Sequence, residues 1–78
     1  MDAKTIAMNN EVVRIGAEHM LQQLRTEGLN YQMWVTGTEC GSTIHLRIPR
    51  LTSDMEARIL NVLRGQGVAL DVADAPAA

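Results

Sequence analysis

No phenylalanine occurs among these 78 residues, and Trp34 and Tyr31 are the only tryptophan and tyrosine. The core must therefore be closed by aliphatic and methionine side chains. Cysteine is as scarce: Cys40 stands alone and cannot form an internal disulfide, which suits a reducing cytoplasm better than an export route. No stretch approaches the roughly 20 apolar residues that cross a bilayer. The opening MDAKTIAMNN lacks the basic start and the apolar run of about 7–15 residues that mark a signal peptide. Nor is there an excess of positive charge. A formal net charge of -2 and a pI near 5.5 offer no general field for phosphate or an anionic membrane. These absences point to a cytoplasmic protein with no membrane association, and they disfavour nucleic acid as a partner.

What is present is globular, with 46% hydrophobic against 21% charged residues, a balance unlike that of a disordered chain. At 78 residues a single domain buries a small share of its surface, so oligomerisation is expected. The segment NNEVVRIGAEHMLQQLRTEG reads as a helix with Asn9 or Asn10 as N-cap and Gly28 as its stop. Val13, Ala17, Met20, Leu21 and Leu24 form its core stripe. Met8, Val12 and Ile15 form a second apolar arc that continues into His19 and turns polar at Gln23 and Thr26.

Residues 31–49, YQMWVTGTECGSTIHLRIP, alternate apolar and polar on both sides of a glycine-flanked turn. Centring the turn on TECG sets Val35 against Ile44, Met33 against Leu46 and Tyr31 against Ile48. The other face then pairs Trp34 with His45 and Gln32 with Arg47, and Pro49 ends the second strand. In LTSDMEARILNVLRGQG, Ser53 with Glu56 forms a capping box and Thr52 is a competing cap. Met55, Ile59, Val62 and Leu63 form the buried stripe, and Gly65 or Gly67 ends the helix. VALDV is a short third strand with Val68, Leu70 and Val72 inward and Asp71 outward. One domain, 1–78, follows, ordered over about residues 5–73, with 74–78 as a frayed tail.

The fold class expected is α+β: a two-layer α-β-β-α-β sandwich with two helices packed on one face of a three-stranded, mainly antiparallel sheet. The place of the third strand in the sheet stays open. Leu24, Met33, Leu46, Ile59 and Leu63 are the expected centre of the core.

Catalytic chemistry has little to draw on. Cys40, His45 and His19 are the one grouping with nucleophilic or soft-metal character, but the hairpin register separates Cys40 at the tip from His45 on a strand. GTECGS has glycines without the lysine and following helix of a phosphate loop. Arg50, Arg58 and Arg64 read most simply as solvated charge. No catalytic residue, metal site or cofactor is expected. Two surfaces remain. On the outer sheet face, Gln32, Trp34, His45 and Arg47 form a candidate partner-binding patch flanked by Thr36 and Thr43, against a plainer reading in which Trp34 shields the sheet and Arg47 pairs with Asp71. On the first helix, Met8, Val12, Ile15 and His19 form a candidate oligomer interface. The expectation is a non-enzymatic protein-binding module, homodimeric, an accessory or inhibitory factor of bacterial or phage type. A nucleic-acid-binding module using the outer sheet face is the alternative, and a small enzyme or metal site around Cys40 a weaker one.

Overall fold

Alternating side chains in residues 31–49 form the hairpin that their pattern requires. The computed structural model describes residues 2–38, 40–65 and 67–75. Strand β1 (Gln32–Thr38) pairs antiparallel with β2 (Gly41–Ile48), with Met33 opposite Leu46, Trp34 opposite His45 and Val35 opposite Ile44. Any odd slip would carry Ile44, Leu46 and Ile48 to the outer face, so burial of that set holds the register.

Helix α1 (Ala3–Thr26) begins earlier than its sequence suggests. Its cap is Asp2, whose carboxylate accepts from the Thr5 N–H at 2.8 Å, and Asn9 and Asn10 lie inside the helix. Asparagine in a helix interior costs only some tenths of a kcal/mol, and the Ala, Lys and Met around it restore the propensity. Asn10 has other work, its Oδ1 accepting from the Ser42 hydroxyl at 3.2 Å. At the far end Gly28 adopts φ 106°. The Leu29 N–H bonds to the Leu24 carbonyl and the Gly28 N–H to that of Arg25, each at 3.0 Å, closing the helix in a Schellman turn. That turn buries Leu29, a core residue the periodicity did not reveal.

Helix α2 (Ser53–Leu63) is capped by Thr52, whose hydroxyl accepts from the Met55 N–H at 3.2 Å, so Ser53 is the first helical residue and not the cap. Strand β3 (Ala69–Asp74) lies parallel to β2, opposite Thr43 to Ile48. The sheet order is β1-β2-β3, so the sheet is mixed, one antiparallel and one parallel pair. Both helices cover one face. The strand continues past the expected end of order: Asp74 accepts from the Leu51 N–H at 2.8 Å, and the Ala75 N–H reaches the Ile48 carbonyl at 3.0 Å. Of the expected tail, 76–78 lie outside the described residues.

The core joins Ala17, Leu21 and Leu24 of α1, Ile44, Leu46 and Ile48 of β2, and Ile59 and Leu63 of α2. Met33 is only half-buried, because β1 is an edge strand. Met20 likewise sits at the rim of the α1 stripe and not within it, 39% exposed. Arg58 of α2 donates to both carboxylate oxygens of Glu27 at 3.0 Å, tying α2 to the end of α1.

Candidate functional site: the outer sheet face

Three strands each contribute to one polar and aromatic cluster. The register aligns Trp34 of β1, His45 of β2 and Asp71 of β3 across the sheet. A single oxygen of Asp71, Oδ2, accepts from His45 Nδ1 at 2.7 Å and from Arg47 Nη2 at 2.9 Å. Arg47 Nη1 also donates to the Asp71 and Leu46 carbonyls, at 3.2 and 2.9 Å. The other imidazole nitrogen, Nε2, lies 2.7 Å from the Thr36 hydroxyl. An ionised carboxylate only accepts, so Nδ1 carries the proton that faces Asp71, and Nε2 shares the second hydrogen bond with the Thr36 hydroxyl, which can donate or accept. Hydrogen bonds from Arg47 and then from His45 hold the Asp71 carboxyl below the usual carboxylate range.

The indole of Trp34 stacks on the His45 ring, centroids 5.0 Å apart and planes 8° from parallel. The Arg47 guanidinium carbon lies 5.1 Å from the indole centroid. The nitrogens of both groups share one carboxylate oxygen, so the two supports of the indole are tied to each other. Among the described residues the indole has no further aromatic or cationic partner, and Trp34 is 42% exposed.

Thr36, His45 and Asp71 follow the order hydroxyl, imidazole, carboxylate that hydrolases use. Catalysis also needs donors placed for a developing oxyanion; in this geometry the network fixes the imidazole flat beneath the indole. Cys40, exposed at the hairpin tip, is not among the partners of His45, both of whose ring nitrogens are engaged. His19 lies exposed on α1. The three members of the nucleophile or metal grouping are thus on separate elements. Among the described residues, no three or more of His, Cys, Asp and Glu gather in a way that could hold a metal ion, and no helix is long and apolar enough to cross a membrane.

Of the residues named from sequence, Trp34, His45 and Arg47 converge as one patch, and Arg47 does pair with Asp71. Gln32 stands opposite Arg47 at the patch edge, exposed. Sequence periodicity left Asp71 as a partner of Arg47 alone, because its contact with His45 depends on β3 lying beside β2.

No family model, curated protein or solved structure matches this chain. Function has to be read from its surfaces.

The second of these is on α1, where Met8, Val12 and Ile15 are 62, 69 and 54% exposed. They lie opposite the buried Ala17, Leu21 and Leu24, facing away from the sheet.

The carboxyl of Asp71 sets a dependence on pH. A carboxyl held below its unfolded value of about 3.9 stabilises the fold above that pH, and the contribution is lost as pH falls through the lower, folded value. Urea unfolding from pH 6 to pH 2.5 is expected to show wild type more stable than Asp71→Asn at pH 6, the gap closing below about pH 4. A gap constant across the range would mean that the charge of Asp71 contributes nothing.

Proposed function

We propose that this chain is a protein-binding module and not an enzyme: a cytoplasmic, homodimeric accessory or inhibitory factor of bacterial or phage type that occludes a partner's surface. Its contact residues are Trp34, with Arg47, His45 and Gln32 around it. One observation carries the reading, namely a partly exposed indole held in place by a stacked imidazole and a guanidinium that share one carboxylate. Ordering a long side chain on binding costs about 0.5–1.5 kcal/mol, and here the network has already ordered three. Tryptophan and arginine are also the side chains on which interface energy concentrates.

Charge favours this reading over the nucleic-acid alternative. Arg47, the cation beside the ring among the described residues, is matched by Asp71, and single-strand platforms combine several stacking rings with a basic groove.

Affinity capture from the source cell with wild type and Trp34→Ala tests the reading. The expected result is a protein held by wild type and bound at least about 30-fold more weakly by the variant, with little dependence on salt and with both chains melting alike. Equal capture by the two chains would overturn it. Capture that is sensitive to nuclease and falls steeply with salt would install the nucleic-acid reading, and loss of activity in Cys40→Ser the enzymatic one.

A further inference from the structure

Strand β1 has hydrogen-bonding groups to spare. Thr38 and Gly41 are partners across a loop of only two residues; those two are adjacent in the chain and cannot bond each other, so Thr38 and Gly41 themselves exchange the bonds. Alternation from that pair turns the N–H and C=O of Thr36 and Trp34 toward β2, and those of Gly37, Val35 and Met33 to the free side. Among the described residues no backbone hydrogen bond reaches them there. Nor is this edge guarded. Free edges are commonly blunted by charge, proline or a bulge. Strand β1 has none of these over its seven residues, whereas the opposite edge, β3, carries Asp71 and Asp74.

Helix α1 stands over the same edge. Asn10 lies at Gly37, and the Arg25 guanidinium carbon is 5.6 Å from the Tyr31 ring centroid, so the helix runs antiparallel to β1 along its length. Its contacts with the sheet fall mostly on that strand. At 100° per residue, Glu11, Arg14, Glu18 and Arg25 share an arc of about 60°, on the flank away from α2. Arg14 pairs with both glutamates, which leaves Arg25 without a carboxylate partner among the described residues. Arg25 and Glu18 line a cleft of about 290 Å³ with Tyr31 and Met33, at the start of β1.

We infer that β1 is the docking edge for an extended segment of another protein, which adds a fourth strand beneath the charged flank of α1 and sets one carboxylate beside Arg25 in the cleft. Main-chain bonds to Met33, Val35 and Gly37 hold the segment, and its alternate side chains meet Met33 and Val35 on the inner face and Trp34 on the outer one. The remaining charges above it are already paired, so the segment is otherwise uncharged. A second copy does not fit this edge. Antiparallel pairing of β1 with itself has its twofold axis normal to the sheet, which puts both copies of α1 on one face. Strands pair about 4.8 Å apart but helices pack about 8–10 Å apart, so two helices that each lie over β1 would collide. A lone strand brings no helix with it. This inference rests on the protein-binding reading proposed above and names the form the partner takes.

The test selects short random peptides displayed on phage against the full chain, then follows hydrogen exchange with the tightest of them bound. In the free chain the amides of Met33, Val35 and Gly37 are expected to exchange fast, and those of Trp34 and Thr36 slowly. Bound peptide is expected to slow the first three by at least about tenfold. Arg25→Gln, an exposed change that leaves the core alone, is expected to bind the peptide about fivefold more weakly. A library that yields no binder overturns the inference, as do binders that leave the three amides exchanging as in the free chain, or that bind Arg25→Gln like wild type. Protection of the same amides in the chain alone, rising with its concentration, also overturns it, because the edge is then paired with a second copy. Capture by Trp34→Ala is scored separately. A protected edge with undiminished capture defeats the Trp34 reading alone, and Trp34-dependent capture with an unprotected edge defeats this inference alone.

Discussion

Leu46→Ala is expected to cost about 2–5 kcal/mol of folding stability, the range for deleting a large aliphatic side chain from a closed core. Leu46 is wholly inaccessible and sits on the central strand, with Met33 opposite it on one side and Val72 on the other. A cavity there borders both ladders, and three well-bonded strands relax little around it. A domain this small has a stability of only about 4–12 kcal/mol, so the variant is expected to be substantially unfolded in moderate urea. Met33→Ala serves as the control. It removes a similar volume from an edge strand where the side chain already meets water, and its loss is expected to be clearly smaller. Urea midpoints for the two variants check this, and equal losses would contradict the central place given to β2.

Gly37→Val is the second large effect expected, a loss of about 1–3 kcal/mol from overpacking. Gly37 lies on the inner face near the hairpin tip, where a Cβ would stand 2.2 Å from Asn10 Oδ1 and 3.1 Å from the Ser42 hydroxyl. The larger side chain must displace the Asn10 amide and break its hydrogen bond to Ser42. Because the obstacle is the end of a side chain, the loss is expected to shrink when Asn10 is already alanine. A double-mutant cycle measures that coupling directly. Additive losses would show that α1 does not approach the sheet closely at this point.

The hairpin could be read from sequence because period-two alternation leaves no neutral error: a slip of one residue exposes Ile44 and Leu46 and buries His45 and Arg47. The start of α1 could not. Asn9 and Asn10 have the chemistry of caps, and only the sheet, by offering the Ser42 hydroxyl to Asn10, shows why such a residue is retained inside a helix. Met20 and Met33 were placed inward by angle alone, and periodicity says nothing about whether a neighbouring layer extends far enough to cover them. The candidate patch was half visible. Trp34, His45 and Arg47 follow from the register of one hairpin, whereas the carboxylate that joins them comes from β3, 26 residues beyond His45, across a helix whose crossover the local pattern does not encode.

Strand β3 is bonded on one side only, and between Ala69 and Ala73 it brings a single polar side chain, Asp71, to the outer face. Edge strands fray before the centre of a sheet. Whenever β3 lifts, Asp71 leaves with it, and both supports of Trp34 lose their common anchor at once. Docking of the last strand and assembly of the aromatic surface thus form one linked equilibrium, in which whatever grips the indole on β1 also holds down a strand two places away.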